Sequence, residues 1–189
     1  MRIGILGGSF NPVHSGHLNL AEDARRILDL EKVVFVPAYE PPHKSPDLLI
    51  DCEDRFRMLE LAVRKNPAFE VSRYEIEKKT KSYTIETIEY LKEFYTADAE
   101  LFFLIGADSL KELDTWKDVD RLSRLCHFVV CDRPGFSKDT KYPWVEAIEI
   151  RPVDISSTQI RKMVKAGEDI GEFVPQAVSD YISKNTLYR

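Results

Sequence analysis

The sequence predicts a doubly wound α/β fold, a parallel sheet with helices on both faces, formed as one domain over residues 1–189. Three observations predict it. Short apolar runs alternate with longer amphipathic ones along the chain. The apolar runs are continuous and rich in β-branched and aromatic residues, as strands covered on both faces of a parallel sheet require. The chemically unusual segments follow directly behind those runs, and in open α/β sheets ligands bind outside the carboxyl ends of the strands.

The elements follow in order. RIGIL (2–6) is the first strand. Over 16–30, His17, Leu20, Ala21, Ala24, Ile27 and Leu28 recur at i, i+3, i+4 and i+7, which makes the first helix. KVVFVP (32–37) is the second strand, and the proline-rich stretch 38–51 reads as a binding loop or lid. CEDRFRMLELAVRKN (52–66) repeats the helical pattern, and FEVS (69–72) is a weaker strand. TIETIEYLKEFY (84–95) is helical; ELFFLI (100–105) and HFVVC (127–131) are strands. EAIEI (146–150) alternates, as an edge strand does. STQIRKMVKAG (157–167) is a helix stopped by Gly167, and PQAVSDYISKN (175–185) is a helix with Pro175 in its first turn. Right-handed crossovers join such units into a Rossmann-like sheet. There is no internal repeat, low-complexity segment or linker.

Composition narrows the function. The chain is 43% hydrophobic and 31% charged, with a net charge of −5. That balance argues against nucleic acid as a partner, because nonspecific binding relies on broad basic surfaces. Small anions remain open, since helix N-termini and a few cations suffice for them. No apolar run approaches the ~20 residues of a membrane span, and the apolar stretch before Gly7 is too short for a signal peptide. Three cysteines, Cys52, Cys126 and Cys131, fit a reducing, cytoplasmic compartment better than a disulfide framework.

Five segments converge on one rim: Gly7–His17, PPHK (41–44), GADS (106–109), CDRPG (131–135) and VDISSTQIR (153–161). The first, GGSFNPVHSGHL, has neither the G-x-G-x-x-G fingerprint nor a Walker A lysine. A phosphate here must meet backbone N–H groups, helix N-termini and the histidines, His14 and His17. A histidine on an apolar helix face is usually a core residue, and His17 shares the Leu20 stripe. Two histidines at one helix entry, separated by Ser15 and Gly16, fit that account less well. Zinc competes for the pair, but H-E-x-x-H and finger-spaced cysteines are absent. No G-x-S-x-G elbow marks a serine hydrolase.

In ISSTQIR (155–161), one serine caps the helix. Ser156, Ser157 and Thr158 together, with Arg161 a turn inside, suit a polyphosphate. Trp116, among charged neighbours, can stack on a flat heterocycle. Asp108 can cap a helix or accept from ribose hydroxyls. His43, Lys44 and Arg133 sit where anion contact is expected of them.

These residues resemble the nucleotidyltransferase superfamily. Gly7–His17 matches its G-x-F-x-P-x-H-x-G-H signature and Ile155–Arg161 its I-S-S-T-x-I-R signature, at opposite ends of the chain in the expected order. Over nearly its whole length, with PPHK, SYT (82–84) and GADS followed by Trp116, the chain looks like the bacterial nicotinate mononucleotide adenylyltransferases. The resemblance implies the nucleotidyltransferase fold and transfer of AMP from ATP to nicotinate mononucleotide, giving deamido-NAD and pyrophosphate. It implies His14, His17 and Arg161 as catalytic. It assigns ATP to Gly8, Ser9, Phe10, Gly106, Asp108, Arg133, Ser156, Ser157 and Thr158. It assigns the mononucleotide to His43, Lys44, Tyr83, Thr84 and Trp116. Mg²⁺ is held mainly through the phosphates, with no protein metal ligand. A homodimer is compatible with the sequence. Nicotinamide mononucleotide or phosphopantetheine as acceptor is the alternative within the superfamily, and a non-catalytic nucleotide-binding module is the alternative outside it.

Overall fold

The structure, a computed structural model, describes residues 1–41, 49–81, 83–96, 98–132 and 141–189. Six strands form one parallel sheet in the order β3-β2-β1-β4-β5-β6. They are β1 (Arg2–Gly8), β2 (Lys32–Pro37), β3 (Phe69–Val71), β4 (Glu100–Gly106), β5 (His127–Asp132) and β6 (Val145–Glu149). The chain works outward from β1 to β3, then returns to β4 on the other side. The β1/β4 boundary is therefore the point where the winding reverses, and crevices open at the carboxyl ends of such strands.

The alternation of side chains explains the unbroken apolar runs. Ile3, Ile5, Val34, Val36, Leu101, Phe103 and Ile105 enter one core; Leu6, Val33, Phe35, Phe102 and Leu104 enter the other. Each face is covered by helices. The first core takes in Ile85, Ile88 and Leu91 of α4 (Thr84–Phe94) and Leu122 of α6 (Val119–Leu125). The second takes in α1 (Ser15–Ile27), α2 (Cys52–Val63), α7 (Ser157–Ala166) and α8 (Gln176–Lys184).

All six strands and the five longer helices fall where periodicity puts them. α7 ends at Gly167, whose φ of +75° is the left-handed C-cap that glycine adopts without cost. Pro175 is the N-cap of α8 rather than a residue of its first turn. Three short helices were not foreseen: α3 (Tyr74–Lys78), α5 (Ala107–Lys111) and α6, together with a 3₁₀ turn at Leu113–Thr115. At five to seven residues for the α-helices, none repeats a 3.6-residue stripe often enough to be seen. Asp23 of α1 is 8% exposed and accepts from the Arg151 backbone and guanidinium, fastening α1 to the segment after β6.

Candidate active site

The turn between β1 and α1 is built around its histidines. His14 is the N-cap of α1, with extended backbone, and its Nδ1 accepts the Gly16 N–H at 3.2 Å. His17 Nδ1 accepts the His14 N–H at 3.3 Å. The two side chains thus form a reciprocal capping box in which imidazoles replace the usual hydroxyl and carboxylate. An Nδ1 that accepts places the proton of a neutral ring on Nε2, so each ring presents an Nε2–H donor. The rings lie 3.8 Å apart, tilted by 36°. The spacing H-S-G-H follows from this packing, because a Cβ on Gly16 would stand 2.9 Å from His14 Nδ1.

The two histidines have different surroundings. His14 is 7% exposed, and burial pulls its pKa down to about 4, so it is neutral at physiological pH. His17 is half-buried and lines a cavity of about 670 Å³. His14 does not line it. Phe10, at φ 45°, buries its ring against Gly8 and meets the His17 ring edge-on at 5.0 Å. Its side chain backs His17 rather than facing the cavity.

The start of α7 is fastened to the same turn. Ser156 Oγ caps α7 by accepting the Gln159 N–H. Ser157 Oγ donates to Pro12 O at 2.9 Å, and Arg161 Nη1 donates to Asn11 O at 2.9 Å. Arg161 Nη2 reaches Thr158 Oγ1, and the Tyr188 hydroxyl donates to Asn11 Oδ1. The helix starts of α1 and α7 thus flank one short segment, joined by hydrogen bonds whose partners lie 145 and 150 residues apart in sequence. Arg161 and residues 156–158 do not line the cavity itself.

The cavity opens at the β1/β4 boundary. Gly8 and Ser9 wall it from β1, Gly106 and Ser109 from β4, and Ala38 and Pro41 from β2. Tyr83, Thr84 and Thr87, at the start of α4, face it together with Trp116 and Lys117. Among the described residues no side chain caps α4, and the acidic residue of its first turn is Glu86. Trp116 also packs edge-on against Phe103 at 5.8 Å, which makes it both wall and core. Lys117 Nζ stands 4.6 Å from the centre of the Tyr83 ring and pairs with Glu86 at 2.8 Å.

One further expected residue is placed away from the cavity. Asp108 is fully exposed, pairs with Lys111 and does not line the cavity. His43, Lys44 and Arg133 lie outside the described residues. Others were not foreseen. Glu75 of α3 is 8% exposed, lines the cavity and accepts the Thr87 hydroxyl at 2.5 Å. Ser109 of α5, and Glu112, Thr115 and Lys117 of the turns after it, belong to stretches too short to show periodicity. Burial pushes the Cys126 and Cys131 thiols up to about 12, so neither is a nucleophile at neutral pH. Among the described residues no three His, Cys, Asp or Glu side chains converge as a metal site, and no helix is long and apolar enough to cross a membrane.

Known proteins share this architecture. The cytidylyltransferase-like family model matches residues 5–163. A "probable nicotinate-nucleotide adenylyltransferase" of Moorella thermoacetica is 43% identical, covering 100% of this chain and 92% of its own. A protein of the same name from Thermus thermophilus is 42% identical over the full length of both. Among solved structures, a Plasmodium falciparum nicotinic acid mononucleotide adenylyltransferase complexed with NaAD superposes with a TM-score of 0.81 over 99% of this chain and 97% of its own. At 22% identity that likeness bears on the fold.

Proposed function

The chain belongs to the cytidylyltransferase-like family, as a nucleotidyltransferase, and from that premise we propose how its site transfers AMP from ATP to nicotinate mononucleotide. A phosphate oxygen of the mononucleotide attacks the α-phosphorus of ATP. The bond from that phosphorus to the β-bridging oxygen breaks, and pyrophosphate leaves with the electron pair. The products are deamido-NAD and pyrophosphate. The nucleophile is already an anion, so no base is needed. The protein's task is to align two anions and absorb charge that grows on the leaving group.

The carrying observation is the junction of two helix starts on the 11–14 turn, with His17 facing the cavity and Arg161 held on the other side. His17 Nε2–H donates to an α- or β-phosphate oxygen. Arg161, with Ser156, Ser157 and Thr158, receives the departing pyrophosphate. Gly8, Ser9 and Gly106 take the adenosine side by their backbone. His14 acts by holding His17 and the helix start, since its own ring is buried.

The pyridine ring belongs at Trp116, with its carboxylate at the first turn of α4, Tyr83–Thr84. An uncapped helix start favours a carboxylate over an amide, which supports nicotinate over nicotinamide. Magnesium bound to the triphosphate would neutralise part of its charge without needing a cage of protein ligands. The free thiols suit a cytoplasmic setting. The test incubates the chain with ATP, Mg²⁺ and either mononucleotide and reads pyrophosphate. Faster release with nicotinate mononucleotide is expected; release with neither overturns the reading.

A further inference from the structure

Arg55 of α2 lies in a stretch without a motif, yet it is 1% exposed and carries a charge. Its guanidinium makes four hydrogen bonds. Nε donates to Ile50 O at 3.2 Å, and Nη2 to Tyr39 O at 3.1 Å. Nη1 donates to both Ser9 O at 2.9 Å and Ala38 O at 2.6 Å. Every acceptor is a backbone carbonyl. Burial is the largest influence on the group and lowers its pKa, as expected when a charge is desolvated. An apolar side chain of similar volume would often fill such a site at less cost. What it could not do is join three separate stretches of main chain.

Those stretches border the cavity. Ser9 follows β1, Ala38 and Tyr39 follow β2, and Ile50 leads into α2. Ser9 and Ala38 are both cavity walls. The two strand exits are also joined by the Ala38 N–H to Gly8 O at 2.9 Å, the last rung of the ladder. Beyond that rung the sheet no longer sets their separation, and one nitrogen of Arg55 holds a carbonyl from each.

We propose that Arg55 is a positioning residue that fixes the spacing of the β1 and β2 exits, and through it the alignment of the two reactants. The inference rests on the adenylyl-transfer reading, in which the β1 exit holds ATP and the β2 exit faces the acceptor. A lysine keeps the charge but cannot span four carbonyls. Misplacement of about 1 Å can cost on the order of 10² in rate.

The test compares Arg55→Lys, Arg55→Gln and Tyr181→Phe in the full chain. Tyr181→Phe serves as the control because it removes a different tie on α2, the hydrogen bond to Asp54. Each variant is assayed for pyrophosphate release well below its own melting midpoint. Both Arg55 variants should lose roughly 10- to 100-fold in kcat, with the KM for ATP little changed. Tyr181→Phe should lose stability and keep kcat. Wild-type kcat in folded Arg55→Lys overturns the inference, as does an equal loss in Tyr181→Phe. Failure of both Arg55 variants to fold overturns it too, since the residue would then serve the fold alone. A wild-type chain that releases no pyrophosphate defeats the adenylyl-transfer reading instead. The spacing claim is then judged by amide exchange at residues 9, 10, 38 and 39, which should quicken in Arg55→Lys and not in Tyr181→Phe.

Discussion

Replacing Gly16 with alanine should separate activity from stability. The added Cβ would lie 2.9 Å from His14 Nδ1 and 3.0 Å from Cε1, both too close. The obstacle is the ring that caps α1, so the ring must move off the Gly16 N–H. Losing an N-cap costs about 0.5–2 kcal/mol. The same substitution replaces glycine inside a helix with the best helix former, a gain of up to about 1 kcal/mol. The two nearly cancel, and the melting midpoint should shift by only a few degrees. Activity has no such compensation. His17 is oriented by the His14 N–H and lies 3.8 Å from the displaced ring, so its donor should turn away from the proposed phosphate position. Loss of a preorganised donor commonly costs ~10²–10³ in kcat. Gly16→Ala should therefore melt near wild type by circular dichroism while losing at least tenfold in pyrophosphate release. A variant with wild-type kcat would refute the claim that the glycine serves the histidine pair.

Three further outcomes are expected. His17→Ala should remain folded and lose ~10²–10³ in kcat by the pyrophosphate assay. Trp116→Ala should raise the KM of the mononucleotide far more than that of ATP, and equal effects would count against a ring contact at this wall. Stability should fall with acidity. His14 titrates at 6.5 in the unfolded chain but at about 4 when folded. Its contribution is therefore whole above 6.5 and is lost progressively as pH falls toward 4. The full loss is on the order of 3 kcal/mol. Urea midpoints across that range should show a slope that His14→Asn, still a capping residue, flattens.

Much of this was legible in the sequence, because strands and long helices announce themselves by period. RIGIL and KVVFVP are covered on both faces and so carry no polar residue after the first, Arg2 or Lys32. His14, His17 and Arg161 stood out because their residue types are unusual at helix starts. What was hidden is of two kinds. Glu75, Ser109 and Lys117 reach the cavity from helices or turns too short to show a stripe. Arg55 looked like one of several charges on an amphipathic helix, since its carbonyl partners lie up to 46 residues away and a carbonyl leaves no mark in a sequence. Asp108 shows the converse: a position after a strand fixes the backbone, while the side chain turns outward to Lys111.

The way three arginines are anchored bears on the chemistry. Asp23 holds Arg151 by its carboxylate, which orients the guanidinium but also cancels its charge. The described partners of Arg55 and Arg161 are carbonyls and one hydroxyl. A carbonyl dipole fixes a guanidinium in place and leaves the full unit charge. That arrangement is costly where nothing else binds, because a desolvated cation finds only partial compensation. It becomes favourable when the ligand is an anion. A triphosphate and an acceptor phosphate together bring more negative charge than one magnesium ion neutralises, and the departing pyrophosphate carries off much of it. In the proposed reading the His17 imidazole supplies a directional donor, and the guanidinium of Arg161 supplies net charge. A carboxylate partner for Arg161 would have made the resting protein more stable and the reacting complex less so.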